Sequence, residues 1–179
     1  LRAEQLFARR ESARSDGRIS QPRLIADLLA LADSLEAAGL DSLAGRALYR
    51  AVGVGTRQVA VDGLEGHCRR AVAISARARD LRYELLSTVM LAEQIGNRSP
   101  EEAARLLETR LPRFRRSSDP VVLGDVYSAL ARTQAQLGRW PRSLAYARQA
   151  VRTLQRDGQR SRLAYVLTQY SQSLSIAER

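Results

Sequence analysis

Apolar and small residues in the second half of the chain recur with the period of an α-helix. From Val126 to Leu137 they fall at intervals of three and four residues, which places them on one helix face. A second such segment begins near Pro141, a residue that suits the first turn of a helix because its missing N–H would have no partner there. The positions concerned are Val126, Tyr127, Leu130, Thr133, Leu137, Leu144, Ala147, Ala150, Val151 and Leu154. This pattern predicts two amphipathic helices joined by a tight turn.

Five segments of the chain end alike. Four endings contain a glycine close to an arginine and the fifth is degraded, and they recur at roughly 40 residues, which is typical of stacked helical hairpins. The endings are Asp16-Gly17-Arg18, Gly55-Thr56-Arg57, Gly96-Asn97-Arg98, Leu137-Gly138-Arg139 and Ile176-Ala177-Glu178-Arg179. The recurrence predicts an all-α fold, an α-solenoid of about four antiparallel hairpins followed by one more helix.

We expect a single domain over residues 1–179, divided into hairpins and a last helix. The approximate ranges are 1–39, 41–79, 81–117 and 120–157 for the hairpins and 160–178 for the final helix. The second hairpin is expected to have a short first helix that closes before Gly55. A rival parsing pairs Leu24–Ala38 with Asp41–Val52 across Gly39, so the register of residues 1–79 stays open. We prefer the first division because it accounts for all five endings.

Helix-end signals support these boundaries. Ser99 is expected to cap a helix that has Pro100 in its first turn, where two glutamates also suit the positive end of the helix dipole. Asp119 precedes Pro120 and is expected to be a turn or cap residue. Pro112 is expected to interrupt its helix, which would leave the basic stretch Arg113–Arg116 at a solvated helix end.

The composition fits one soluble domain with a strongly basic balance. The chain has 179 residues, of which 45% are hydrophobic and 27% charged, so it can bury a core. It contains no lysine, and its 29 basic residues against 19 acids give a net charge of +10. Such an excess raises the hypothesis of a nucleic-acid partner, with Arg113–Arg116 around Phe114 as the clearest basic stretch. The arginines are spread along every segment, so we favour solvated helix faces as their role.

The residue types needed for catalysis are poorly arranged. His67 and Cys68 are the only histidine and the only cysteine, and neighbouring residues on a helix point about 100° apart. Cys68 falls at an apolar packing position, so we expect it in the core. One His and one Cys give too few donors for a metal site, and no glycine-rich phosphate loop is present. We therefore expect no enzyme activity, no catalytic residues, no metal and no cofactor.

The chain offers no membrane or secretion signal. No apolar run approaches the ~20 residues of a membrane span. The chain begins Leu1-Arg2-Ala3-Glu4, without an initiator Met or an apolar leader. We therefore expect a cytoplasmic protein without membrane contact, and a domain excised from a longer chain.

The best-formed hairpin resembles a tetratricopeptide repeat. Small residues stand where that family needs its two helices to approach closely, and Tyr127 stands where it has a large aromatic. The residues that carry the resemblance are Val126–Ala131, Leu137–Trp140, Ser143–Ala147, Ala150 and Val151. The sequence departs from the family at Gln134, where Tyr is usual, and in lacking a Pro after the second helix. The resemblance implies a right-handed solenoid whose first helices line a concave groove.

Counting back from each ending assigns residues to that groove, which is expected to bind a protein or peptide. The face mixes aromatic, Met, Arg and Gln side chains with acids that would repel phosphate. The expected groove residues are Tyr83, Leu86, Met90, Glu93, Gln94, Asp125, Ser128, Arg132, Gln136, Arg162, Tyr165, Gln169 and Gln172. Tetratricopeptide domains that clamp a chaperone C-terminus need Asn on successive inner helices. The only asparagine here, Asn97, lies in a turn, which argues against that subtype.

The resemblance also suggests a biological setting. Similar repeats occur in sensor or dimerisation regions of large bacterial transcription regulators and signalling proteins, so we expect a regulatory scaffold of that kind. A nucleic-acid-binding solenoid is the alternative. The last helix carries an apolar stripe that includes Leu163, Val166 and Leu167, and its polar outer face fits a solenoid cap or a point where more repeats follow. That helix is also the expected surface for a homodimer.

Overall fold

Helices and short turns make up the described part of the chain. The computed structural model describes residues 21–58, 63–117 and 119–156 and, near the C-terminus, residues 160, 162–164, 166–168 and 171. The helices with defined bounds are α1 (Gln21–Ala37), α2 (Asp41–Gln58), α3 (Leu64–Arg77), α4 (Leu81–Gly96), α5 (Pro100–Ser117), α6 (Pro120–Gln136) and α7 (Trp140–Arg156). The described residues beyond 159 are also helical, and no strand occurs among the residues described. The predicted all-α class is confirmed.

Each helix buries the apolar face that its sequence pattern predicts. In α1 the buried residues follow intervals of three and four, and in α6 and α7 the predicted positions Val126, Leu130 and Leu154 are fully buried. Phe114 of α5 is the largest fully buried side chain among the described residues. The predicted core is therefore built mainly from aliphatic and alanine side chains, with few aromatics.

Consecutive helices pack on one another. Close packing joins α1 to α2, α2 to α3, α5 to α6 and α6 to α7, and Arg110 of α5 donates to the Thr88 hydroxyl of α4 at 3.0 Å. Helix α2 thus packs on both of its neighbours, as the two alternative parsings of the first 79 residues each require. The hairpin register there stays a prediction.

Two of the helix boundaries differ from expectation. Helix α2 was expected to be short and to close before Gly55, but it runs for 18 residues to Gln58. Gly55 is buried within it. Burial of Ala51 and Val52 at 1% exposure each holds this part of the helix on the core, and such tertiary packing overrides the weak helix propensity of glycine.

The expected interruption at Pro112 was also wrong. Helix α5 continues through Pro112 to Ser117. A proline inside a helix removes one backbone hydrogen bond and costs roughly 3 kcal/mol. Leu111 and Phe114 lie on either side of it at 8% and 0% exposure, so packing of both side chains keeps the last turn helical.

The predicted caps and the core cysteine are confirmed. The Ser99 hydroxyl accepts the Glu102 N–H at 3.4 Å, and Asp119 accepts the N–H groups of Val121 and Val122 at 2.9 and 3.3 Å. Cys68 is 1% exposed. These local signals were readable because a cap depends mainly on its own first turn.

The chain divides into two compact units, Leu1–Ser87 and Thr88–Arg179. The division falls inside α4, so the first two turns of that helix, Leu81–Ser87, belong to the first unit and its remainder to the second. Among the described residues, no helix has both the length and the apolar character needed to cross a membrane.

Candidate functional site

In the second unit, two ion pairs join residues that the sequence assigns to one groove. Arg132 of α6 donates to Glu93 of α4, and Arg162 donates to Asp125 of α6. The partners are 39 and 37 residues apart in sequence, close to the predicted repeat. Each pair thus connects a helix to the one two positions further along the chain. We call the surface formed by these four residues the α4–α6 face.

Four other predicted groove residues of the second unit lie on these two helices. Met90 and Gln94 of α4 and Ser128 of α6 are half-buried, and Gln136 of α6 is exposed. On α6 the residues Asp125, Ser128 and Arg132 follow intervals of three and four, so they lie on one side of the helix. Most of these side chains keep surface that a ligand could contact.

The Asp125 carboxylate is held in a partly buried setting. Burial raises the pKa of Asp125, and the charges of Glu93 and Asp119 act in the same direction. The hydrogen bond and charge of Arg162 oppose this rise without cancelling it. In this ion pair the Asp125 carboxylate is costly to ionise. The side chain of its partner Arg162 stays 37% exposed.

Some predicted groove residues lie elsewhere. Leu86 was expected on the groove, but it is 4% exposed and belongs to the core. Counting back from a glycine fixes the position of a residue along a helix, but it cannot show how deeply neighbouring helices cover it. Tyr165, Gln169 and Gln172 lie outside the described residues.

Tyr83 belongs to the first unit, where it joins a cluster between α2 and the start of α4. Its ring meets that of Tyr49 edge to face, with centroids 5.5 Å apart, and the Arg46 guanidinium lies 5.1 Å from the Tyr83 centroid. The Asp80 carboxylate accepts from Ser42 Oγ at 2.7 Å and lies 3.5 Å from Arg46 Nε. We call Ser42, Arg46, Tyr49, Asp80 and Tyr83 the Arg46–Tyr83 cluster.

The sequence pattern predicted a place on the binding face for Tyr83, but no role for Arg46, Asp80 or Ser42. A signal was present, because Arg46 precedes Asp125 by 79 residues, which is two repeats of roughly 40 residues. Counting back two repeats from Asp125 leads to Arg46, and so to this cluster.

A second polar group lies where α5, α6 and α7 meet. Gln134 is fully buried and donates from Nε2 to Glu108 Oε1 at 3.0 Å. Tyr127 and Tyr146 stack with centroids 6.3 Å apart, and Arg115 Nε donates to the Tyr127 hydroxyl at 3.4 Å. Burial raises the pKa of Tyr146. Gln134 thus places a polar amide where the repeat family usually has an aromatic ring.

The basic stretch near Pro112 exposes its arginines and hides its aromatic residue. Arg113, Arg115 and Arg116 are exposed, whereas Phe114 is 0% exposed. A base could not stack on Phe114 without unfolding this turn. In the part of the chain that the structure describes, no group of three or more His, Cys, Asp or Glu side chains could hold a metal ion.

The described residues form packed helices, and polar side chains pair between a helix and the one two positions further along the chain. No protein-family model matches this chain, and a search of curated proteins finds no relative.

Proposed function

We propose that this chain is a non-enzymatic scaffold that binds a protein or peptide segment, built as a right-handed, tetratricopeptide-like solenoid. We further propose that it serves as a cytoplasmic sensor or dimerisation region of a larger bacterial transcription regulator or signalling protein. The expected partner lies across the first helices of successive hairpins.

One observation carries the proposal: side-chain contacts recur between a helix and the helix two positions further along, or the turn just before it, at sequence separations of 34 to 41 residues. Ser42 and Asp80 are 38 residues apart, and the pairs Glu93–Arg132 and Asp125–Arg162 are 39 and 37 apart. Stacked hairpins bring equivalent helices side by side at one repeat of separation. The same contacts would give each unit a continuous face formed by first helices.

The chemistry of the α4–α6 face favours a peptide over a small reactive substrate. Met90 offers an adaptable apolar contact, and Gln94 and Gln136 offer amide donors and acceptors for a peptide backbone. The acids on this face are paired with arginines. Such a surface can supply contact area and hydrogen bonds, which are what peptide recognition needs.

A peptide-display selection on the immobilised whole chain tests the proposal. Selected peptides are then titrated against the native chain, a Met90→Ala, Arg132→Ala double variant and the control Arg152→Ala, which removes an exposed arginine on α7. We expect the double variant to weaken binding at least about tenfold, ~1.4 kcal/mol, and the control to stay near native. Selection of no peptide, or equal binding by all three proteins, would overturn the proposal.

A nucleic-acid-binding solenoid is the second candidate, supported by the net charge of +10 and the exposed Arg113, Arg115 and Arg116. Its affinity should fall steeply with salt, because phosphate contacts release counterions. Burial of Phe114 and the pairing of Arg132 and Arg162 with acids leave less of the basic surface for phosphate. Titration with single-stranded RNA across a salt series distinguishes the two candidates.

A further inference from the structure

One side of α7 is exposed and basic. The helix has four arginines and no acid in its 17 residues. Arg142, Ala145, Arg148 and Arg152 are exposed and follow intervals of three and four, so they share one side of the helix. The opposite side is buried and consists of Ser143, Ala147, Ala150 and Leu154. We call Arg142 and Arg152, with the exposed Arg139 of the turn before the helix, the α7 arginine face.

The arginines of this face are not paired with acids. Among the described residues, Arg139, Arg142 and Arg152 make no ion pair. Arg148 lies on the same side but already has an interaction within the chain, so it does not belong to the face. The charge of the other three is therefore not cancelled by direct contacts.

The acids among the described residues of the second unit have other roles. Two belong to the ion pairs of the α4–α6 face, one caps α6 and two begin α5; these are Glu93, Asp125, Asp119, Glu101 and Glu102. The remaining acid, Glu108, is near α7: burial raises the pKa of Tyr146 and the charge of Glu108 adds to this rise, whereas Arg142 and Arg115 oppose it. Glu108 thus offsets one of two arginines at this end of α7, and the face keeps a net positive charge.

Helix stability does not explain this placement of arginines. Arg139 and Arg142 stand at the N-terminal end of α7, where the positive end of the helix dipole disfavours a cation. Helix α5 has the favourable arrangement, with acids in its first turn and arginines in its last. The arrangement in α7 instead favours a role in binding an anion.

The exposed side of α7 lacks the apolar anchors that a protein partner would use. Besides arginine, its exposed residues are Pro141, Ala145 and Gln155 among the described side chains. Energetically important contacts between proteins come mainly from large side chains that bury aromatic or aliphatic surface. A phosphate backbone needs no such anchor, because its binding is driven by arginine contacts and the release of counterions.

The geometry favours a duplex over a single strand. Single strands bind by stacking bases on exposed aromatic rings, but Phe114 and Tyr127 are 0% and 8% exposed. Arg142 and Arg152 are ten residues apart, about 15 Å along the helix, which matches roughly four base pairs of a duplex. A rigid duplex presents its phosphates in such a row without first being ordered.

We propose that the α7 arginine face binds the phosphate backbone of duplex DNA without reading its bases. The inference goes beyond the proposed function, because the peptide is expected on the α4–α6 face. Only the choice of DNA over a duplex of RNA rests on the proposed setting in a transcription regulator.

Fluorescence anisotropy of the whole chain with a labelled DNA duplex of about 20 base pairs tests the inference. The comparison probes are one strand of that duplex and an RNA duplex of the same sequence, and polyglutamate of equal total charge serves as competitor. We expect the DNA duplex to bind most tightly and polyglutamate to displace it poorly. Tighter binding of the single strand or of the RNA duplex, or displacement by polyglutamate as effective as that by unlabelled DNA, would overturn the inference.

Variants show whether the binding is local. We expect the double variant Arg142→Gln, Arg152→Gln to bind the DNA duplex at least about tenfold more weakly, with a plot of log affinity against log salt that is shallower by about 2. The matched control Arg23→Gln, Arg79→Gln removes two exposed arginines of the first unit and should stay near native. Circular dichroism verifies that both are folded. Equal losses in the two variants, or no loss in the folded α7 variant, would contradict the assignment.

The outcome separates this inference from the proposed function. A chain that binds selected peptides through Met90 and Arg132 but no DNA would overturn this inference alone. DNA binding that depends on Arg142 and Arg152, with no peptide selected, would support this inference and overturn the proposed peptide-binding function.

Discussion

At the residue scale, two glycines lie where a side chain of another helix leaves no room for a Cβ. A Cβ on Gly124 of α6 would lie 2.4 Å from Leu154 Cδ2 and 2.6 Å from Leu154 Cγ, and one on Gly45 of α2 would lie 2.4 Å from Ser75 Oγ. The two glycines are 79 residues apart, so the close approach recurs after two repeats of roughly 40 residues. Leu154 is 0% exposed, so any shift of its side chain has to be made within the core.

We expect Gly124→Ala to lower the free energy of unfolding by about 1–2 kcal/mol, because overpacking outweighs the ~1 kcal/mol gain in helix propensity. Gly66→Ala is the matched control, since nothing lies within 4 Å of a Cβ there. That variant should gain up to ~1 kcal/mol. Urea denaturation measures both. A stabilised Gly124→Ala would show that α6 and α7 can separate without cost.

The raised pKa of Asp125 leads to a second prediction. A carboxyl whose pKa is raised in the folded state binds protons more readily there than when unfolded, so its ionisation lowers stability as pH rises. Asp125→Asn removes the charge and should leave the protein at least as stable at neutral pH. The difference should shrink in acid, as pH falls through the raised pKa of Asp125 and the carboxyl becomes protonated.

Arg162→Met is the companion variant for Asp125. It removes the cation that offsets the burial of the Asp125 carboxylate, and should lower the free energy of unfolding by roughly 1–3 kcal/mol at neutral pH. Adding Asp125→Asn should restore most of that loss. If Asp125→Asn alone destabilises the protein at neutral pH, the ion pair outweighs the cost of burying the carboxylate. Thermal and urea unfolding of these variants at neutral and at acid pH distinguish the two outcomes.

At the element scale, Arg77 of α3 holds the α1–α2 turn. It donates to Glu36 at 2.8 Å and to Asp41 at 2.6 Å, and these bonds lower the pKa of both carboxyls. A lowered pKa contributes stability above the ordinary values of 4.5 and 3.8, and that stability is lost as pH falls through the folded values. The turn should therefore weaken in acid.

Arg77→Met should lower the urea midpoint at neutral pH, and this effect should shrink as pH falls through the lowered pKa values of Glu36 and Asp41, because the two acids then become protonated. Arg105→Met removes an exposed arginine on α5. Its urea midpoint should instead follow that of the native protein at a constant offset across the whole pH range. Urea titrations from about pH 7 to about pH 3 measure this. A constant offset for Arg77→Met would show that its packing, not its charge, stabilises the turn.

Sequence patterns predicted which segments are helical and which residues cap them, but not where α2 and α5 end. Ser99 and Asp119 were readable because a cap is satisfied within its own turn. The run of α2 past Gly55 and of α5 past Pro112 depends on burial of distant side chains, which periodicity cannot show. The candidate site follows the same rule: Glu93 and Arg132 were each identified as face residues, but their pairing requires the register between α4 and α6.

At the scale of the whole molecule, the C-terminal segment is the expected surface for self-association. Leu167 is 43% exposed although Val166 beside it is 4% exposed, so the segment packs on one side and shows an apolar residue on another. Leu163 of the same predicted stripe is half-buried, and contiguous apolar surface often marks a protein interface. The homodimer expected from the sequence would cover it.

We expect the native chain to show a mass that rises with concentration, and Leu167→Glu to remain a monomer, because a buried charge without a partner is costly. Leu40→Glu is the matched control, since Leu40 is 49% exposed at the α1–α2 turn and should leave association unchanged. Light scattering over a concentration series measures all three proteins. A monomer throughout would remove the dimer hypothesis, and equal loss in both variants would mean that general surface hydrophobicity, not this segment, drives association.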